Sequence, residues 1–283
     1  MPLTFEVDMT TAPVEFSRLA EMPASDVRQA IRLGRYSGHT AGLAEGRLQC
    51  NLAIVPGDHA EDFHAFCRRN PKSCPLAGVS SPGNASIARL GADVDIRTDA
   101  SRYNVYRSGK LDRQVTDLTE LWRDDLVAFA IGCSFTFENA LRRAGIAMRH
   151  IDDNVTVPMY RTTLETAPVG PFGGGMVVSM RPVPEDRLEE VRSICRTYPL
   201  AHGAPVHAGD PRAIGIADLK TPDWGEAVEI RPGEIPVFWA CGVTPQAAIM
   251  AARLPLSITH APGAMLIADV DERTAPIYPY NDN

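Results

Sequence analysis

The chain has 283 residues, 45% hydrophobic and 22% charged, an ordinary globular composition with ample length for a buried core in one large domain or two smaller ones. A formal charge of -7 and the lack of any Lys/Arg run argue against nucleic acid and anionic membranes as partners, so small molecules are the expected ones. The opening Met1-Pro-Leu-Thr-Phe-Glu-Val-Asp8 has neither a basic nor an apolar leader pattern, and no apolar run reaches the length of a membrane span; a cytoplasmic location is expected.

In chain order, Ser25 caps a helix that Gly34 stops after Leu33. Leu48 to Val55 reads as a strand ended by Pro56 and Gly57. Asp58 and Glu61 open a helix to Arg69 that turns Phe63 and Phe66 inward, and residues 70–99 are mostly loop with short extended pieces. Within that loop Asp93, Asp95, Arg97 and Asp99 alternate with apolar residues, as on a solvated extended edge. Asp117 and Glu120 form a capping pair for a helix near Leu118 that Trp122, Val127 and Ile131 continue, with Arg123, Asp124 and Asp125 on its solvent face. Gly132 interrupts it. Ser134 then caps a second helix from Phe135 to Ala144, closed by Gly145.

This break reads either as a helix-helix corner or as a helix N-terminus that presents the free N–H groups of Ser134 to Phe137 to an anion, with Cys133, Ser134 and Glu138 sharing one space. Beyond it, residues 155–161 are extended, Gly170 to Gly175 turn, and Met176 to Met180 form a strand. The glycines precede that strand instead of joining a strand to a helix, so they are not a dinucleotide fingerprint. Pro184 to Tyr198 is a charged amphipathic helix. Pro236 to Ala240 is a buried strand, Cys241-Gly-Val turns, and Thr244-Pro-Gln246 starts a helix; Ser257 to His260 and Met265 to Val270 are strands. Cys241, Thr244, Gln246 and His260 thus fall at strand C-terminal ends, the ligand edge of open α/β sheets.

The six cysteines have no paired spacing and read as reduced, buried thiols, although Cys133 and Cys241 each end an apolar run beside a glycine. His202, His207 and Asp210 share a loop with two glycines and two prolines. They are candidate ligands for a divalent metal, or else a hydrogen-bonded loop or an acid/base pair. Arg161 and Arg181 follow apolar stretches, where an arginine holds a carboxylate by two parallel bonds or makes a structural ion pair.

Many of these segments together resemble a bacterial hydro-lyase family to which the mitochondrial D-glutamate cyclase also belongs. The resemblance rests on Gln49-Cys-Asn-Leu-Ala-Ile-Val-Pro56, Asp62-Phe-x-x-Phe66 with Asn70-Pro-Lys-Ser-Cys-Pro75, Asp95-Ile-Arg-Thr-Asp99 and Leu121-Trp-Arg-Asp-Asp-Leu-Val-Ala-Phe129. It continues through Gly132-Cys-Ser-Phe-Thr-Phe-Glu138, Pro158-Met-Tyr-Arg-Thr162, Val177-Val-Ser-Met-Arg-Pro182, the His202 to Pro211 loop, Pro236 to Gln246 and Ile258-Thr-His-Ala-Pro-Gly263. Ser193-Ile-Cys-Arg-Thr197 and Thr163 depart from the family pattern.

The resemblance implies an α/β fold: a three-layer α/β/α domain, 1–116 plus 227–283, with a smaller two-layer α+β domain, 117–226, inserted into it. It also implies a water-eliminating lyase, best defined for closing D-glutamate to 5-oxo-D-proline. That reaction needs a base, an acid, an oxyanion site and a cationic clamp. Arg161 or Arg181 is the expected clamp; Cys133 and Ser134 mark the oxyanion site; Glu138, His207 and His260 are the acid/base candidates. Thr162, His202, Asp210, Thr244 and Gln246 are expected to contact substrate. No organic cofactor is expected, a divalent metal and a homo-oligomer stay open, and a small acidic substrate is the expected partner. Dehydration of a hydroxy acid, a covalent route through Cys133, and non-catalytic binding of an acidic metabolite remain the alternatives.

Overall fold

The computed structural model describes residues 13–153 and 155–278; the leader reading of residues 1–8 lies outside them. In chain order the elements are α1 (Phe16–Ala20), α2 (Ala24–Arg32), β1 (Arg47–Pro56), α3 (Gly57–Arg69), β2 (Leu76–Val79), β3 (Tyr103–Arg107), β4 (Lys110–Val115) and β5 (Leu126–Gly132). They continue with α4 (Phe135–Arg143), α5 (Arg149–Asp152), β6 (Met159–Glu165), β7 (Gly175–Pro184), α6 (Leu188–Arg196), β8 (His207–Ala208), β9 (Glu234–Ala240), α7 (Val243–Ala252), β10 (Ser257–His260) and β11 (Leu266–Asp271). The result is a mixed α/β protein with two sheets. None of the described helices is long and apolar enough to cross a membrane.

The first sheet runs β2-β5-β1-β10-β3-β4, with β11 also on β1; the second runs β6-β7-β9-β8. All recorded pairings are antiparallel. This corrects the expectation that the strand C-terminal ends carrying Cys241, Thr244, Gln246 and His260 form one ligand edge, because neighbouring strands point opposite ways and β9 and β10 belong to different sheets. By sheet membership the second-sheet strands lie within 159–240. The expected limits of 117 and 226 would instead split β5 and β9 from the strands they pair with.

The helix expected from Leu118 to Ile131 is a short 3-10 turn at Thr119–Leu121 followed by strand β5, in which all seven residues are buried. Its neighbours explain the misreading. Val127, Phe129 and Ile131 pack with Phe63 and Phe66 of α3 on one face, while Leu126, Ala128 and Ala130 pack on the other with Leu52 and Ile54. A strand buried on both faces is apolar throughout, so its sequence does not alternate. Trp122 to Asp125 is accordingly no helix face: Trp122 Nε1 donates to the Gly83 carbonyl and Arg123 forks onto Asp125.

α3 and α7 cover one face of the first sheet. The other is covered largely by Ile87, Leu90, Val94 and Ile96, from a segment of turns rather than a helical layer. This segment also replaces the expected solvated edge. Asp99 is fully buried and takes two bonds from Arg32, and buried Arg28 donates to Asp93, to Asp269 and to the Ile267 carbonyl, fastening α2 to β11. The β3-β4 hairpin was not anticipated.

In the second sheet, alternation sets the site. Val183, Val237 and Trp239 face α4 and α6, and Val178, Met180 and Phe238 face the opposite way. Arg181, in register with Val183, therefore points toward α4 from the middle of β7, not from a strand end.

Candidate active site

Ser134 holds the N-cap position of α4 as expected, and Gly145 follows its C-cap at φ 77°. Its hydroxyl makes no capping bond. Instead Ser134 Oγ accepts from Arg181 Nη2 at 3.1 Å. The N–H groups of the first turn are also committed: Thr136 to the Cys133 carbonyl, Phe137 to the Ser134 carbonyl, and Phe135 to the Cys133 sulfur. The expected row of free donors is thus largely satisfied internally.

Arg181 is the hub. Fully buried, it donates from Nε to Glu138 Oε1 at 3.0 Å, from Nη2 to the same oxygen, and from Nη1 to Ser179 Oγ at 2.9 Å. The rings of Phe137 and Trp239 lie 5.0 and 5.3 Å from its guanidinium carbon. His150 Nε2 sits 3.2 Å from Glu138 Oε1. Burial disfavours the Glu138 charge, yet the Arg181 and His150 attractions and hydrogen bonds outweigh it and lower the carboxyl to about 2. Glu138 is therefore an ionised partner of Arg181 at neutral pH and a poor proton carrier, contrary to its expected acid/base role.

Two histidines are locked in opposite tautomers. His202 is fully buried at φ 70°, and its Nδ1 lies 2.8 Å from the Lys72 carbonyl, which can only accept; the ring proton is on Nδ1, and Nε2 offers a bare lone pair with no hydrogen-bond partner. His260 Nδ1 receives the Leu52 N–H at 3.1 Å and lies farther, at 3.4 Å, from the Leu52 carbonyl, so the shorter contact favours the tautomer with its proton on Nε2. Gln246 Nε2 is 3.4 Å from that ring. Burial lowers both imidazoles to about 4, so both are neutral at pH 7.

The remaining expected residues separate. Thr244 Oγ1 accepts from Val177 N–H and donates to its carbonyl, tying α7 to β7. Arg161 is exposed over Trp224 beside Asp223, and Thr162 Oγ1 donates to the Met176 carbonyl. His207 engages the Asp210 carbonyl at 2.7 Å, while the Asp210 carboxylate caps Arg212 N–H. With His202 Nδ1 on Lys72, the three candidate metal ligands serve separate partners, and among the described residues no cluster of three or more His, Cys, Asp or Glu could hold a metal ion.

Sequence reasoning missed His150, Ser179, Asn51 and the Trp239 ring. Asn51, Ser179 and Trp239 lay in segments with a signal, inside three of the resembling motifs, and His150 did not. Asn51 bonds the Gly132 carbonyl at 2.9 Å and lies against Gly242, where a Cβ would come within 2.2 Å of its amide nitrogen. It thereby joins the turn before α4 to the turn before α7. Surface cavities of about 320 and 620 Å³ lie elsewhere, lined in part by Arg143 with Arg273 and by Glu21 with Arg47.

The family model described as D-glutamate cyclase matches residues 127–269, from β5 into β11. The chain belongs to the D-glutamate cyclase family. That stretch contains every residue of the Arg181 hub and both tautomer-locked histidines. Relatives named "Putative hydro-lyase" match over nearly their whole lengths: 58% identity to one from Jannaschia sp., covering 90% of this chain and 96% of the relative, and 61% to one from Ruegeria pomeroyi, covering 92% and 94%. One from Methylobacterium radiotolerans is 56% identical, covering 89% and 93%. As a member of the D-glutamate cyclase family among hydro-lyases, the chain is a carbon-oxygen lyase that eliminates water.

Proposed function

We propose that the chain closes D-glutamate to 5-oxo-D-proline, and that the reaction is organised around Arg181. The observation that carries this reading is the placement of a buried, ion-paired guanidinium and a histidine with a bare lone pair in one water-excluded interior. His202, Cys133 and Cys241 all lie within electrostatic reach of the Arg181 charge. Buried polar atoms without partners, here His202 Nε2 and Trp239 Nε1, are costly unless something binds them.

In the reaction the substrate ammonium must lose two protons. Its nitrogen attacks the γ-carboxyl carbon, a C–N bond forms, and one carboxyl oxygen departs as water carrying both protons. His202 Nε2 accepts one ammonium proton and returns it to the departing oxygen, the second passes from nitrogen to that oxygen as the tetrahedral intermediate collapses, and neutral His260 polarises the same oxygen by a hydrogen bond from Nε2–H without giving up its proton. Arg181, with the N-termini of α4 and α7, supplies positive potential where the tetrahedral oxyanion develops. Glu138 holds Arg181 in place and does not exchange protons. No step requires an organic cofactor.

A second reading, dehydration of a hydroxy acid, is favoured by the hydro-lyase names of the relatives and would use the same donor and acceptor. Incubating the protein with D-glutamate, L-glutamate and a panel of hydroxy acids, with products followed by chiral chromatography and mass spectrometry, separates the two. Lactam from D-glutamate supports the first; an unsaturated acid with no lactam supports the second.

A further inference from the structure

The cavity of about 320 Å³ between α4 and α6 plays no part in the cyclisation, yet its walls gather charge and hydroxyls. They include Arg143 of α4, Ser193 and Ile194 of α6, Thr197 and Tyr198 just after it, and Arg273 beyond β11. Ser193, Ile194 and Thr197 belong to the segment that departs from the family pattern. Among the described residues no carboxylate is part of the lining.

At this cavity a buried polar atom is left over. Tyr198 is 1% exposed, and its Oη has no hydrogen-bond partner. The Arg273 guanidinium carbon lies 5.6 Å over its ring; Arg273 and Glu272 are its polar neighbours, but neither meets the hydroxyl in bonding geometry. A buried hydroxyl without a partner, on a cavity lined by two guanidiniums, suits a ligand rich in acceptor oxygens. Thr197 Oγ1 donates to the Ile194 carbonyl, so the donors facing a ligand are Arg143, Arg273 and the hydroxyls of Ser193 and Tyr198.

Two effects oppose an anion here. The C-terminal carbonyls of α4 and α6 carry partial negative charge, which accounts for Arg143 in the last turn of α4 but not for Arg273, from a distant part of the chain. Glu45 and Glu272 also pair with Arg143. The Glu45 pair is largely exposed and exchanges for a ligand at little cost. Glu272, 3.5 Å from Arg143, offsets part of its charge and leaves Arg273 as the principal cation.

The same tyrosine begins the turn that carries His202. Its carbonyl receives the Ala201 and Gly203 N–H groups, Pro199–Ala201 is a 3-10 turn, and His202 follows at φ 70°. We propose that this cavity is a second ligand site, for a small multivalent oxyanion held by Arg273, Arg143, Tyr198 and Ser193, and that its occupation stiffens the turn from Tyr198 to Gly203. The bearing on turnover rests on the role proposed above for His202; the site itself does not.

The test titrates the full-length protein calorimetrically with inorganic phosphate and, separately, with succinate, and follows amide hydrogen exchange over residues 198–203 by mass spectrometry. Expected is saturable binding of at least one probe by the wild type, weakened about tenfold or more in Arg273→Gln and in Tyr198→Phe. Arg142→Gln, which removes the same charge from α4 outside the lining, should bind like wild type. Saturating probe should slow exchange over 198–203 in the wild type and not in Arg273→Gln. Binding of phosphate alone assigns a phosphoryl ligand, and binding of succinate a carboxylate one. Melting curves report folding, and Arg273→Gln, at an exposed position, decides the matter where Tyr198→Phe is unfolded. No saturable binding of either probe, undiminished binding in folded Arg273→Gln, or equal weakening in Arg142→Gln overturns the site. Binding without slowed exchange overturns its link to His202. Absence of lactam from D-glutamate would count against the cyclase reading and leave these outcomes unaffected.

Discussion

Arg181 donates from two nitrogens to a single oxygen of Glu138, and both side chains are buried, at 0% and 3% exposure. This pair joins β7 of the second sheet to the first turn of α4, which springs directly from the first sheet. Removing one partner strands the other charge away from water. Glu138→Gln is expected to destabilise the protein by about 3–5 kcal/mol, whereas replacing both residues by apolar ones of similar volume is expected to cost much less. Urea denaturation of the single and double variants checks this; equal losses in both would refute it.

Acid sensitivity should appear in two windows. His202 and His260 have folded values near 4 against an ordinary 6.5, so between these the unfolded chain binds more protons and stability falls as pH drops from 6.5 to 4. Glu138 is depressed from 4.5 to about 2, so its contribution is complete above 4.5 and is lost as pH falls through 2. Melting temperature followed from pH 8 to below pH 2 reads both windows. His202→Gln should flatten the upper one, and an unchanged slope would show that His202 is not held neutral.

The turns before α4 and α7 leave no room for a side chain. A Cβ at Gly132 would come within 1.7 Å of the Leu200 carbonyl oxygen, and one at Gly242 within 2.2 Å of the Asn51 amide. Gly242→Ala should cost about 1–3 kcal/mol, and Asn51→Ala should recover part of it because the obstruction is a side chain. Gly132→Ala meets backbone, so no single side-chain trimming should rescue it. Thermal melts of Gly242→Ala, Asn51→Ala, their combination and Gly132→Ala decide this.

The two arginines read alike in sequence but should behave differently. Arg161 is exposed on Trp224, and Arg161→Ala is expected to alter stability by no more than about 0.5 kcal/mol. It should also leave turnover near wild type. Loss of turnover with unchanged stability would return the clamp role to Arg161.

What the sequence could convey depended on whether the information was local. α4 was legible because Gly132, Ser134 and Gly145 punctuate it, and β11 because its apolar run is short and follows a Pro-Gly turn. β5 was not legible, because burial on both faces removes the alternation that marks a strand. His150 could not be found at all: its closeness to Glu138 depends on a helix of four residues whose position is set by the fold. The resembling motifs pointed to Ser134, Glu138 and Arg181. Their joining into one ion-paired hub, which turns Glu138 from a proton carrier into an anchor, follows from the register of β7 against β9.

The most direct test of a cyclase organised around Arg181 is the rate of 5-oxo-D-proline formation from D-glutamate by wild type, Arg181→Lys, His202→Gln and Arg161→Ala under one condition. Lysine keeps the charge but cannot reproduce the fork onto Glu138, Ser134 and Ser179. Lactam formation by wild type and Arg161→Ala, with losses of ~10²-fold or more in folded Arg181→Lys and His202→Gln, is the predicted result. Wild-type rates in both of the latter variants, or no lactam from any D-glutamate incubation, would contradict it.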